Sequence, residues 1–312
     1  MTKASAPGKA ILLGEHAVVY DQPAIAVPIP GIAAQVEINE LLPPKPDAIH
    51  IEALDLRFSQ WFRDRDSSDP LIAAVRLTLD AIGNPHHMGL RIRIHSSIPI
   101  ASGLGSGAAV SVAIIRALSM HLGYPLPLEA QSALAFEVEK LHHGTPSGID
   151  NTVVAFAQPV FFKRGSAPMP FKVGAVLPLV IADTGIQTAT AAAVGLVRQG
   201  RQSDPGRFQV LFDHIGRLVL QARDAIESGE ISRLGCLMNS NQSLLTRLGV
   251  SSPELDALID AARESGALGA KLSGGGLGGN MIALTNLEAQ PGVADALQTA
   301  GAKHVFCIQV GS

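Results

Sequence analysis

Three stretches of this chain combine closely spaced glycines with polar or charged side chains: Ala6 to His16, Ile98 to Ala109 and Lys271 to Asn280. Between the last two, Pro146-Ser147-Gly148-Ile149-Asp150 sets a carboxylate just behind a glycine. The middle stretch, Ile98-Pro99-Ile100-Ala101-Ser102-Gly103-Leu104-Gly105-Ser106-Gly107-Ala108-Ala109, has the clearest chemistry. Its glycines remove the side chains that would keep a backbone away from a bulky anion. A helix starting at about Ser106 offers unpaired N–H groups and the positive end of its macrodipole. Together these make a phosphate cradle. It is not a P-loop, because no Gly-Lys-Ser/Thr follows, and it lacks the strand and acidic residue of a dinucleotide fingerprint. Alone it reads equally as a tight strand-to-helix turn that binds nothing. The other glycine-rich stretches tip that balance.

The elements around these stretches follow from periodicity and punctuation. Leu90, Ile92 and Ile94 alternate with Arg91, Arg93 and His95, a half-buried strand leading into the cradle. The helix leaving it runs to about Leu122, stopped by Gly123 with Pro125 beyond. A second helix, about Leu128 to His143, carries Glu137 and Glu139 off an apolar stripe of Leu134, Val138 and Leu141. Asp150 opens a short helix, and its carboxylate read alone is an N-cap. Before the cradle, Lys3 to Pro7, Ala10 to Leu13, Ala24 to Ile29, Ala33 to Ile38 and Ile49 to Leu54 read as strands, with Pro7-Gly8-Lys9 breaking the first pair. Asp69 and Pro70 start a helix that Gly83 ends. Trp61 reads as packing near the surface. The region Arg164 to Pro178, rich in Gly, Pro and Ala, marks a boundary. Beyond it the chain alternates strand (Leu179 to Ala182), helices (Thr190 to Arg198, Gly206 to Ser228, Ile231 to Leu248, and one capped by Ser252-Pro253), a strand from Met281 to Leu284, a helix, and a last strand near Val305 to Val310. That alternation is α+β.

A chain of 312 residues, 47% of them hydrophobic, has material for one large domain or two medium ones. The formal charge of −3 and the lack of a basic run argue against nucleic acid as a partner. Cys236 and Cys307 are far apart, show no metal spacing, and read as buried or incidental thiols of a reducing compartment. The start lacks a signal-peptide core and no apolar run reaches membrane-spanning length, so the expectation is a soluble, cytoplasmic protein with no membrane partner.

The three glycine-rich stretches, in this order, resemble the three motifs of the GHMP small-molecule kinases. The resemblance spans nearly the whole chain. Ser5-Ala6-Pro7-Gly8-Lys9-Ala10-Ile11-Leu12-Leu13-Gly14-Glu15-His16-Ala17-Val18-Val19 and His143-Gly144-Thr145-Pro146-Ser147-Gly148-Ile149-Asp150-Asn151 are most similar to the mevalonate-phosphorylating branch of that family. The resemblance implies an α+β, two-domain fold: an N-terminal domain like ribosomal protein S5 domain 2 over residues 1–170 and a ferredoxin-like C-terminal domain over 171–312. It implies ATP and Mg²⁺ as cofactors, mevalonate as the small-molecule substrate phosphorylated on its 5-hydroxyl, and a monomer or homodimer.

Residue by residue, the resemblance assigns Asp150 as the catalytic aspartate that takes or orients the hydroxyl proton, with Lys9 beside it. Pro99, Ala101, Ser102, Gly103, Leu104, Gly105, Ser106, Gly107 and Ala108 fall in the nucleotide loop. Glu139 and Ser106 become metal ligands. Glu15, His16, Ser147, Gly148, Thr190 and Gly275 line the substrate site, while His142 and His143 read as structural. Without the resemblance, Glu139 is a solvated helix residue, His16 a packed histidine and Thr190 an ordinary helix start. Three positions depart from the family pattern. Gly107 stands where a second serine is usual, Leu277 interrupts the glycines of the third motif, and Thr188 replaces a basic residue. The other functions weighed are kinases of the same fold acting on another small acid, phosphomevalonate or a sugar, and a non-catalytic metabolite sensor.

Overall fold

A computed structural model describes residues 1–53, 55, 58–62, 69–99, 103–143, 148–186 and 190–311, with the backbone alone at 142, 143, 190 and 191. Two compact units emerge from its contacts. The first holds Met1–Gly8, Gly31–Ile100 and Leu104–Ala157; the second holds Lys9–Pro30, Ala101–Gly103 and Gln158–Ser312. The units are therefore interleaved in sequence. Strands β1 (Thr2–Leu13) and β2 (Ala24–Glu40) each run from one unit into the other.

Both strands are longer than their proline and glycine content suggests. Pro7-Gly8 does not break β1, and Pro28, Pro30 and Gly31 do not break β2. Proline is tolerated in a strand where no neighbour needs its missing N–H. β1 pairs with β2. β2 pairs with β6 (Val160–Phe162) over Ala24 to Ala26 and with β5 (Leu90–Ser96) over Ala34 to Glu40, so its prolines fall where it changes partner.

In the first unit, β2 continues through β5 to β3 (Ile49–Ala53) and β4 (Phe58–Trp61), with β3 parallel to β5. Val36, Ile38, Ile51, Ile92 and Ile94 are buried on one face of this sheet. The alternate residues are polar and pair across the outer face, as Arg93 does with Glu52 at 3.1 Å. Trp61 is partly exposed at the sheet edge, tilted against His50 with the Lys45 ammonium over its ring.

Among the described residues four helices complete this unit: α1 (Pro70–Ala81), α2 (Ser106–His121), α3 (Leu128–His143) and α4 (Ile149–Phe156). Asp69 caps α1, accepting from the amides of Leu71 and Ile72, as its sequence predicts. Helix α2 is buried nearly all round, from Ala108 through Leu118, and packs against α1, α3 and α4. The stripe of α3 shifts: Ala135 and Val138 are buried, whereas Leu141 is exposed.

After β6 and the two-residue β7 (Met169–Pro170), the second unit follows the order β8 (Leu177–Asp183), α5 (Thr190–Ser203), α6 (Pro205–Ser228), α7 (Ile231–Leu248), α8 (Pro253–Glu264), β9 (Gly269–Ser273), β10 (Asn280–Leu284), α9 (Gln290–Thr299) and β11 (His304–Val310). Its sheet runs β11-β8-β10-β9, antiparallel throughout. Numbered within the unit this is the 4-1-3-2 order of a split βαβ, ferredoxin-like sheet, with four helices where the simplest version has one. Both cysteines are exposed, which removes the buried reading. Among the described residues no helix is long and apolar enough to cross a membrane.

Candidate active site

Among the described residues, no side chain caps the helix start that follows the middle glycine-rich loop. Gly105 is the N-cap of α2 in the left-handed region (φ 77°), and it makes no side-chain cap hydrogen bond. Its own carbonyl accepts from Ala109 N at 2.9 Å, so the helix is formed from its first residue. The amides of Ser106, Gly107 and Ala108 are thus the first-turn donors that a helix leaves for a ligand. β1 closes tightly beside this loop: a Cβ on Gly8 would lie 3.0 Å from the Leu104 carbonyl. Beside Gly103 and Gly107 there is open space. Pro99, Leu104 and Ser106 are also described; Ala101 and Ser102 lie outside the described residues.

Glu139 on α3 and Asp150 on α4 lie in the same unit as the start of α2. Gly148, left-handed at φ 85°, is the N-cap of α4. Asp150 therefore sits inside the first turn, not at the cap, which removes the capping role that sequence alone allows it. A carboxylate in a first turn is favoured by the helix dipole. Glu139 is half-buried on α3. Among the described residues no cluster of three or more His, Cys, Asp or Glu forms an all-protein metal cage. One carboxylate and the Ser106 hydroxyl fit Mg²⁺ nonetheless, because this ion prefers oxygen ligands, keeps waters, and takes one or two carboxylates together with nucleotide phosphates. Ser147 and Thr188 lie outside the described residues, and of Thr190 only the helical backbone is described.

The second unit gathers Lys9, Glu15, His16 and Gly275. Gly14 (φ 103°) lies so close to Ala24 that a Cβ would meet its Cα at 2.5 Å, so the turn after β1 needs glycine there. His16 follows at φ 60°, ψ −48°, and Ala17 N donates to Glu15 O at 2.6 Å. This is a γ-turn of the rare, strained, positive-φ kind centred on His16. Strain of this sort persists only where surrounding contacts enforce it, and it gathers at functional sites. The enforcing contact is visible: His16 Nε2 donates to the Gly275 carbonyl at 2.9 Å. Burial holds the His16 imidazole below its ordinary pKa, against the opposing pull of the Gly275 carbonyl and the Glu15 charge.

Glu15 itself faces inward. Its Oε1 accepts from Lys271 Nζ, and its Oε2 accepts from Asn241 Nδ2 at 3.3 Å. Lys271 is 0% exposed, Glu15 1% and Asn241 0%. Lys271 also donates to the Leu272 carbonyl, and Ser273 Oγ donates to Ile11 O at 2.9 Å. Burial lowers the Lys271 pKa while the Glu15 carboxylate raises it. A buried charge persists only when paired and hydrogen-bonded, and both conditions hold here. Side-chain bonds from Ser273 to Ile11, Lys271 to Glu15 and His16 to Gly275 thus fasten the first and third glycine-rich stretches.

The GHMP kinases N terminal domain matches residues 70–158 and the GHMP kinases C terminal domain matches 222–303. The mevalonate kinase of Thermococcus gammatolerans is 39% identical over 96% of this chain and 93% of its own. That of Pyrococcus furiosus is 38% identical with the same coverage. Among solved structures, L. major mevalonate kinase in complex with R-mevalonate superposes with a TM-score of 0.84 at 32% identity, covering 99% of this chain and 96% of that one. The chain belongs to the GHMP kinases.

Two residues of this GHMP kinase site escape a reading of its motifs, Lys271 and Asn241. Lys271 is the one charge in the strand Gly269-Ala270-Lys271-Leu272-Ser273, and all five residues of that strand are buried. A lone lysine among small and apolar strand residues is a signal that a buried carboxylate awaits it. Asn241 offers no such signal, because a polar residue on a helix such as α7 is ordinarily solvent-facing. Both oxygens of Glu15 accept hydrogen bonds from within the protein, one from Lys271 and one from Asn241.

Proposed function

We propose that this chain transfers the γ-phosphoryl group of ATP to the 5-hydroxyl of mevalonate, giving 5-phosphomevalonate for isoprenoid precursor synthesis. The observation that carries phosphoryl transfer is the uncapped, glycine-opened start of α2 in the unit whose neighbouring helices bear Glu139 and Asp150. The choice of mevalonate rests on relatives of that activity matched along nearly the full length of both chains.

In this reading the amides of Ser106, Gly107 and Ala108 hold the nucleotide phosphates, and Glu139 and Ser106 hold Mg²⁺. The ion supplies charge neutralisation on the β- and γ-phosphates. Phosphoryl transfer asks little covalent chemistry of a protein and much positioning. Asp150 takes or orients the proton of the attacking hydroxyl. Lys9, 6% exposed, supplies positive charge to the nascent alkoxide. His16, Gly148, Gly275, Thr190 and Ser147 shape the substrate end, with Glu15 next to His16. The family's two domains correspond in this reading to residues 1–170 and 171–312.

The test is turnover of Mg²⁺-ATP against mevalonate, phosphomevalonate, galactose and homoserine. Fastest turnover with mevalonate, and 5-phosphomevalonate as product, is expected. Faster turnover of another member reassigns the substrate; nucleotide binding with no turnover of any makes the chain a sensor.

A further inference from the structure

Helix α4 is only eight residues long, and its N-cap Gly148 contributes no side chain to fix it. Hydrogen bonds from Asn151 and Thr152 tie its first turn to α3 and to its own N-cap. Asn151, 4% exposed, donates both Nδ2 protons to one residue: to Ser132 O at 3.0 Å and to Ser132 Oγ at 2.9 Å. The Ser132 carbonyl can only accept, which sets the orientation of the Asn151 amide. Thr152 Oγ1 donates to the Gly148 carbonyl at 2.8 Å. Its single proton is thereby used, so in the 3.2 Å contact between the two hydroxyls Ser132 is the donor and Thr152 the acceptor. The bonds run in one direction, from Asn151 through Ser132 and Thr152 to the carbonyl of the N-cap.

This run of bonds brackets Asp150. Gly148 lies on one side of it and Asn151 and Thr152 on the other. On α3, Ser132 lies seven residues before Glu139, two turns along the same helix face, about 10.5 Å of rise. At the far end of α4, Arg116 of α2 donates from Nη2 to Ala155 O at 2.8 Å and from Nε to Gln131 Oε1 at 2.9 Å, the residue next to Ser132. The α3–α4 pair is thus fixed at two points, and the network at the Asp150 end consists of small hydroxyls and one amide.

We infer that Ser132, Asn151 and Thr152 are positioning residues, which fix the Asp150 carboxylate relative to Glu139. The inference rests on the roles of Asp150 and Glu139 in the proposed function. A misplacement of about 1 Å far from the chemistry can cost about 10²-fold in rate, so the effect belongs in kcat. Thr152→Val keeps the shape and removes the hydroxyl, Thr152→Ser keeps the hydroxyl and removes a methyl, and Ser132→Ala removes the relay.

The experiment measures kcat, KM for mevalonate, directly titrated ATP affinity and melting temperature for these three variants, with Asp150→Asn alongside. Thr152→Val and Ser132→Ala should lose at least about 10-fold in kcat, with KM and ATP affinity within about twofold, and Thr152→Ser should restore most of the loss. Valine and serine at 152 giving equal kcat, or losses that only track the folded fraction, would overturn the inference and leave the network as packing. If Asp150→Asn loses kcat while Thr152→Val does not, positioning alone fails. If Asp150→Asn keeps full kcat, the assignment of the base fails, and positioning with it.

Discussion

Replacing Lys271 by methionine isolates the bond that fastens Glu15. The two side chains are of similar length, so the substitution removes a charge and leaves little void. Glu15, 1% exposed, then keeps the Asn241 amide at 3.3 Å. Removing one partner of a buried pair leaves the other charge uncompensated, a cost of about 3–5 kcal/mol. Spread over a unit of this size, that lowers the melting temperature by about 6–20 °C. The companion variant Lys271→Met/Glu15→Gln removes both charges. Neutral replacement of a buried pair is often without cost, so the double variant should recover most of the lost stability. Calorimetry of the wild type, the single and the double variant is the assay. In the same preparations KM for mevalonate should rise in the single variant, because His16 stands next to Glu15 and bonds Gly275. A single variant melting within about one degree of the wild type, or a double variant as unstable as the single, would refute the argument that Lys271 is there to satisfy Glu15.

Gly107→Ser should fold and stay active, since a Cβ there meets open space and the residue has an ordinary helical backbone. The gain in helix propensity is about 0.5 kcal/mol at most, and the added hydroxyl should alter the Mg²⁺ concentration needed for half-maximal rate; failure to fold would mean that the backbone needs glycine. Asp150→Asn should lower kcat by about 10²- to 10⁴-fold with ATP affinity nearly unchanged. Lys9→Met should lower kcat by about 10²- to 10³-fold, and the double variant should lose far less than the product of the two if the residues act as a unit; multiplicative losses would separate them. Stability should rise with pH between about 5 and 7. Burial lowers the pKa of His16, His87 and His121 in the folded chain, so the unfolded chain binds more protons below the ordinary histidine pKa, and a denaturation midpoint that falls over this range would contradict the burial of these rings.

The helices were the legible part of the fold. α3 and α7 end where caps and apolar spacing place them, and α2 ends within one residue of its expected limit, because glycines and prolines flank helices that are largely self-contained. β1 and β2 were harder. Pro7, Pro28 and Pro30 argue for breaks locally, and the change of β2's partner from β6 to β5 across Pro28 and Pro30 is a tertiary fact that no local pattern shows. The site divides the same way. Spacing alone marks the glycine loop, whereas Glu139 and Asp150, a solvated helix residue and an N-cap by their neighbours alone, are singled out only through the family resemblance. The inward turn of Glu15 is not marked, because its partners Asn241 and Lys271 lie 226 and 256 residues away. Nor is the strain at His16, which depends on a carbonyl from the third glycine stretch.

The interleaving of the two units bears on how the molecule is made. Glu15 leaves the ribosome 256 residues ahead of Lys271, which at about 5–20 residues per second is a wait of about 13–50 s. During that time the segment Lys9–Pro30 has been synthesised, but the rest of its unit, from Gln158 onward, is incomplete. The second unit therefore cannot close cotranslationally until β9 is synthesised. A fragment beginning after residue 157 would lack the carboxylate that Lys271 needs. Expressed alone, such a fragment is a candidate for aggregation, and one supplied with a peptide spanning 9–30 is a candidate for rescue by complementation.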